Sequence, residues 1–170
     1  MHRLHLLRHT KSNPDDSVED RERRLARRGR EAARRVGEYL PDAVGALDLV
    51  LCSSALRTRE TFELALAGLT PQPAVLFEDG LYLASRGTLI RRLQQLDEAV
   101  GSVMVVGHNP GMHDLAMALA APGSTSHRAL AGGKFPTGAL AVFNIAVPWA
   151  SLDRTRHELA DYVTPKSLDD

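Results

Sequence analysis

Ser102-Val103-Met104-Val105-Val106-Gly107-His108-Asn109-Pro110-Gly111 is the stretch whose reading decides the fold. Four consecutive apolar residues, three of them valine, predict a strand buried on both faces, because a strand wet on one face would alternate with polar residues. The run ends in a polar turn. Met112, Leu115, Ala116 and Leu119 then recur at helical spacing. A buried strand that passes directly into a helix is the repeating half of a parallel α/β architecture.

Working outward, the same grammar recurs. Leu4-His5-Leu6-Leu7 predicts a short buried strand, and the geometry of a pleated strand makes one demand there. Successive residues point to opposite faces, so Arg8 and His9 can share a pocket only if the strand ends or twists near Leu7. Lys11 to Glu22 reads as a loop, with Asn13-Pro14-Asp15-Asp16 at its centre. Leu25, Ala32, Val36 and Leu40 predict a helix that stops before Pro41. Asp48 to Cys52 predicts a second strand, followed by Ser53-Ser54 and a helix carrying Leu56, Phe62, Leu66 and Leu69. Thr70-Pro71-Gln72-Pro73 breaks that helix, Ala74 to Phe77 is a short apolar run, and Leu89, Leu93, Leu96 and Val100 mark a further helix. Pro122 to Pro136 shows little apolar periodicity and reads as a long irregular segment, of the kind that is functional or mobile in a compact domain. Leu140 to Val147 and Thr155 to Val163 are the last expected strands, before a polar tail.

The expected fold class is therefore α/β, a three-layer α/β/α sandwich around a mostly parallel central sheet. The 170 residues, 44% hydrophobic and 25% charged, suit one domain over 1–170. Lys plus Arg equals Asp plus Glu at 21 each, so charge gives no reason to expect nucleic acid or an acidic membrane as partner. The arginine-rich run from Arg21 to Arg35 is interleaved with glutamates at spacings such as Arg27 to Glu31, as on a solvated helix face. Cys52 is the one cysteine, so no internal disulfide can form, and it ends an apolar run as a core residue does. No apolar stretch reaches membrane-spanning length and the first residues lack a signal-peptide pattern, which leads us to expect a cytoplasmic protein.

Ligands of open α/β sheets bind beyond the carboxyl ends of the strands. Arg8-His9, Ser53-Ser54 with Arg57, and Gly107-His108 each follow an apolar run, so three segments deliver polar side chains to one sheet edge. Neutral imidazole can attack phosphorus and split one hard displacement into two easier ones. The charge on the phosphoryl oxygens needs donors already in place, and the planar guanidinium fork suits it. Guanidinium charge also lowers the pKa of a neighbouring histidine and keeps it neutral. Arg8, His9, Arg57 and His108 could together supply this chemistry with no metal and no cofactor. His2, His5 and His113 form no zinc-ligand spacing, and Gly107 to Gly111 lacks the Lys-Ser/Thr ending of a nucleotide-binding loop.

Leu6-Leu7-Arg8-His9-Thr10 resembles the Arg-His-Gly signature of the histidine phosphatase superfamily, with Thr10 in place of glycine. Ser53 to Thr61 resembles its second motif, and Val106-Gly107-His108-Asn109-Pro110 its third. Arg8-His9-Thr10-Lys11-Ser12, the Arg23 to Gly29 segment and Phe135-Pro136-Thr137-Gly138 are most similar to the SixA-type phosphohistidine phosphatases. The resemblance implies a phosphoglycerate mutase-like fold, His9 as nucleophile, Arg8 and Arg57 as phosphoryl ligands, and His108 as a donor to the phosphoryl oxygens. It also implies a phosphorylated protein or a small phosphorylated compound as substrate. Ester-cleaving members carry a carboxylate acid after the third strand, where Glu78 and Asp79 stand, although both also read as turn residues. A nitrogen leaving group can be protonated before cleavage, whereas an alkoxide needs an acid at departure. Two alternatives stay open: a phosphatase of small esters or phosphoramidates that uses Glu78 or Asp79, and a non-catalytic phosphate-binding module.

Overall fold

The side chains of Leu4, Leu6 and Leu7 are fully buried, and the strand that carries them runs through the middle of the molecule. In this computed structural model, which describes residues 1–168, the strands are β1 (His2–Arg8), β2 (Leu49–Ser53), β3 (Ala74–Glu78), β4 (Ser102–Gly107), β5 (Leu140–Ile145) and β6 (Glu158–Val163). They form one sheet in the order β3-β2-β4-β1-β5-β6. Pairings among β1 to β4 are parallel, and β5 and β6 join antiparallel at one edge.

The helices are α1 (Arg27–Val44), α2 (Leu56–Leu66), α3 (Arg86–Gln94), α4 (Gly111–Leu119), α5 (Thr125–Gly132) and α6 (Pro165–Leu168). Strand alternation divides the core into two. Leu4, Leu6, Leu51, Val103, Val105 and Phe143 pack with Leu89 and Leu93 of α3 and with Met112 and Leu115 of α4. Leu7, Val50, Cys52, Met104, Val106 and Val142 pack with Val36 and Leu40 of α1 and with Leu66 of α2. Apolar residues therefore run unbroken along β4, because both of its faces are covered. Each such side chain contributes about 1.5–3 kcal/mol when fully buried. Cys52 is part of this core, and burial pushes its thiol up to about 12, so it is inert as a nucleophile at neutral pH. Arg27 and Glu31 pair at 3.2 Å on the exposed face of α1.

Three local expectations need correction. α1 does not stop before Pro41 but continues to Val44, with Leu40 and Val44 buried on either side of the proline. The ring of a helical proline presses on the carbonyl four residues earlier. That residue is Gly37, and burial of Leu40 and Val44 outweighs the missing hydrogen bond. The segment 122–136 is not irregular throughout. Ser124 caps α5 by accepting from the His127 amide at 2.9 Å, and Leu130 is buried. β1 extends through Arg8, which pairs with Gly107, and the His9 amide still donates to the Gly107 carbonyl at 3.1 Å. Among the described residues no helix is long and apolar enough to cross a membrane.

Candidate active site

β2, β4 and β1 are neighbours in the sheet, so their carboxyl ends lie side by side. Arg8 ends β1 and His9 follows it, Arg57 stands in the first turn of α2 beyond β2, and His108 follows β4. All four line one open cleft of about 500 Å³, together with Lys11, Ser12, Asp20, Arg23, Tyr82 and Asn109. The strand geometry that set Arg8 and His9 on opposite faces is resolved by the position of the cleft, which sits over the strand end and is reached from both sides.

The turn at His9 is clamped by its surroundings. Gly138 adopts φ +77° and donates its amide to both the Arg8 and the His9 carbonyls, at 3.1 and 3.0 Å. A Cβ there would lie 2.7 Å from Pro165 and would strain the backbone as well. Phe135, three residues earlier, also holds a positive φ of 49°. Its carbonyl accepts from Arg8 Nη1 at 3.2 Å and from Asn109 Nδ2 at 2.9 Å, so the strained residue ties together two walls of the cleft. Thr10 is turned away. Its amide donates to Thr61 Oγ1 at 3.1 Å, and its buried hydroxyl lies 3.3 Å from the same atom, so the threonine in the glycine position braces α2 rather than crowding the site. A glycine matters at a second point. A Cβ on Gly29 would lie 1.9 Å from the Lys11 carbonyl, which accepts from the Ala26 amide and seats the start of α1 beside the cleft.

His9 is 7% exposed. Its Nδ1 lies 2.7 Å from the Thr10 carbonyl, which can only accept, so Nδ1 carries the proton and Nε2 keeps its lone pair. Burial, reinforced by the charges of Arg8, Arg57 and Arg23, lowers the His9 pKa to about 4. His108 lies 5.3 Å from it between ring centroids and is lowered to about 3, first by burial. Both rings are neutral at pH 7. His108 Nε2 is 2.7 Å from Ser53 Oγ, while its Nδ1 is buried without a partner. The Nε atoms of Arg8 and Arg57 are likewise buried and unpartnered. Buried donors are almost always satisfied. Here three such atoms belong to residues that line the cleft with His9.

The two carboxylates expected to provide the acid lie outside the cleft. Glu78 forms a two-pronged pair with Arg92 at 2.8 and 2.9 Å and lines a separate pocket with Leu81 and Thr88. Asp79 accepts from Arg21 at 2.6 Å and from Ser54 at 2.5 Å on the surface. The carboxylate that does line the cleft is Asp20, on a short 3-10 turn (Asp20–Glu22). It accepts from Tyr82 Oη, from Arg57 Nη2 at 2.9 Å and from Arg23 Nε at 2.9 Å, and these bonds hold it well below the usual carboxylate range. In sequence Asp20 is one acid among Asp15, Asp16, Glu19 and Glu22, with nothing to single it out. Tyr82 was equally silent, although its ring meets His108 edge-on at 5.5 Å. Arg57 sits beneath Asp20 and is only 2% exposed. No group of three or more His, Cys, Asp or Glu side chains among the described residues is arranged to hold a metal ion.

Residues 4–81 match the family model of the histidine phosphatase superfamily (branch 1), a span that includes Arg8, His9 and Arg57. The chain is 34% identical over 165 residues to the uncharacterized Mycobacterium leprae protein ML1117, covering 94% of this chain and 100% of that one. Among solved structures, the SixA protein of Nakamurella multipartitia superposes with a TM-score of 0.84 at 28% identity, over 96% of each chain. The SixA protein of Agrobacterium tumefaciens gives 0.81 at 29% identity, over 96% of this chain and 98% of that one, and both proteins are assigned as phosphohistidine phosphatases. With its α/β fold and an arginine- and histidine-lined cleft at the carboxyl edge of the sheet, the chain belongs to the histidine phosphatase superfamily and is a phosphatase.

Proposed function

We propose that the protein removes the phosphoryl group from a phosphohistidine of a partner protein through a covalent intermediate on His9. The observation that carries this reading is a neutral His9 in a cleft whose lining carboxylate, Asp20, is held ionised by Arg23, Arg57 and Tyr82. His9 Nε2 adds to phosphorus as the P–N bond of the substrate breaks. The departing imidazole, protonated beforehand on its other nitrogen, leaves neutral and needs no acid from the protein. Arg8 and Arg57 bind the phosphoryl oxygens, and the His108 Nδ1–H donates to a third. Water then adds to phosphorus, the bond to His9 breaks, and dihydrogen phosphate leaves with His9 restored as neutral imidazole. An ester would instead expel an alkoxide with no protonated carboxyl group beside it. The similarity to SixA proteins supports the same substrate class.

The test compares a phosphorylated histidine domain, phosphoramidate and a panel of sugar phosphates, with wild type and His9→Ala run in parallel. Turnover of P–N substrates by wild type alone is the expected result. Sugar-phosphate turnover far above phosphoramidate turnover would remove the substrate assignment, and full activity in His9→Ala would remove the mechanism.

A further inference from the structure

The Nη1–Nη2 edge of Arg57 is already occupied. Each terminal nitrogen gives one N–H to the same residue, Nη1 to the Asp20 carbonyl at 2.7 Å and Nη2 to Asp20 Oδ2 at 2.9 Å. The second carboxylate oxygen accepts from Arg23 Nε, and Tyr82 donates to the first. A planar guanidinium binds two phosphoryl oxygens as it binds two carboxylate-like ones. The substrate-free cleft therefore contains its own anion.

For a phosphoryl group to take that edge, Arg57 or Asp20 has to give way, and the structure decides which. Arg57 is in the first turn of α2 with its side chain 3% exposed, whereas the Asp20 side chain is 46% exposed. Asp20 starts a three-residue turn that buries none of its residues and has no side-chain cap. Moving its side chain uncovers no buried residue of the turn, so the resistance comes mainly from its hydrogen bonds, while Arg21 anchors the turn on Ser54, Asp79 and the Tyr82 ring. Arg23 is fixed independently, by Nη1 bonds to Ser12 Oγ at 2.9 Å and to the Asn13 carbonyl at 3.1 Å. It can keep its bond to Oδ1 while Arg57 is released.

We propose that Asp20 determines specificity by occupying the Arg57 fork until a phosphoryl group displaces it; the inference rests on the reading of Arg57 as a phosphoryl ligand. The exchange replaces one anion with another. A carboxylate or chloride entering the cleft repeats what Asp20 already provides and gains nothing. A phosphoryl dianion brings more charge and a third oxygen, for which Arg8 and His108 line the same cleft. Discrimination of this kind works by raising the threshold for every anion, so that those with only two-point contacts fall below it.

Orthophosphate binding by calorimetry, and inhibition of phosphoramidate hydrolysis by orthophosphate and by acetate, test this in wild type, Asp20→Asn and Asp20→Ala. Loss of a half-exposed competing charge should tighten orthophosphate by about three- to tenfold in both variants, with KM falling in parallel. Acetate, ineffective against wild type, should become an inhibitor. Orthophosphate affinity unchanged or weaker in both variants, with melting temperatures retained, would show that Asp20 only braces Arg57 and would overturn the proposal. Loss of ester turnover with orthophosphate affinity unchanged would make Asp20 an acid and overturn it equally. A wild type that binds no orthophosphate would remove Arg57 as a phosphoryl ligand, and this inference with it.

Discussion

Replacing Arg57 with alanine separates catalysis from stability. In the transition state the guanidinium faces charge spread over the phosphoryl oxygens. One such contact at 4 Å is worth about 4 kcal/mol at an effective dielectric near 20, and removal of a single preorganised donor costs roughly a hundred- to a thousandfold. Arg57 carries two such donors in a cleft where its side chain is 3% exposed, so we expect the upper end, a fall in kcat/KM of about a thousandfold. The stability ledger is smaller. The ion pair with Asp20 contributes about 0–1 kcal/mol because the aspartate is half exposed. The buried arginine stem adds about 2 kcal/mol. Relief of repulsion with Arg8, whose pKa is lowered first by burial and then by Arg57, offsets part of the loss. A net cost of about 1–2 kcal/mol corresponds to a fall in Tm of roughly 2–8 °C for a chain of this size. Steady-state hydrolysis of phosphoramidate and differential scanning calorimetry give the two numbers. A kcat/KM within tenfold of wild type, in a variant that melts where expected, would refute Arg57 as a phosphoryl ligand.

Other expectations follow from the same geometry. Because burial first and arginine charge second lower the His9 pKa to about 4, kcat/KM should be level above about pH 5 and fall as the ring protonates below it. A fall centred near pH 6.5 would mean an unperturbed histidine. His5, His9 and His108 all have depressed values, so between pH 6.5 and about 4 the unfolded chain binds protons that the folded chain does not. Stability is therefore lost as pH falls through that window, and His9→Ala should flatten the slope of Tm against pH. Gly138→Ala should cost about 1–3 kcal/mol from the positive φ and the Pro165 contact, and should lower activity by loosening Arg8 and His9; a melting temperature equal to wild type contradicts this. Glu78→Gln should change phosphoramidate turnover by less than about threefold, since its carboxylate faces Arg92 and not the cleft; a hundredfold loss would return it to the mechanism.

The buried strands were legible because burial on both faces leaves no polar position to confuse the pattern. The apolar run Val103 to Val106 lies wholly within β4, which extends one residue beyond it at each end. The juxtaposition of Arg8, His9, Arg57 and His108 was legible for a related reason: each stands at or beyond the end of a readable strand, and the carboxyl ends of adjacent parallel strands must meet. Pro41 misled because local propensity opposes a helix there, while burial of Leu40 and Val44, set by partners far along the chain, outweighs it. α5 was missed because only Leu130 of its residues is buried, so it shows no apolar stripe. Asp20 and Tyr82 escaped for a deeper cause. They lie 62 residues apart and acquire meaning only when the loop after β1 folds against the turn after β3. Neither position carries a periodic or motif signal, whereas the resemblance to ester-cleaving members points to Glu78 and Asp79, which follow the third strand.

The central claim is that a neutral His9 accepts the phosphoryl group, and the direct measurement is the chemical state of that residue during turnover. Wild-type protein mixed with a phosphorylated histidine domain, quenched in alkali within one turnover and mapped by peptide mass spectrometry, should carry an acid-labile phosphoryl group on His9. The modification should be absent from His9→Ala. Release of orthophosphate at the full rate with His9 never modified, or with the phosphoryl group on His108 instead, would contradict the account.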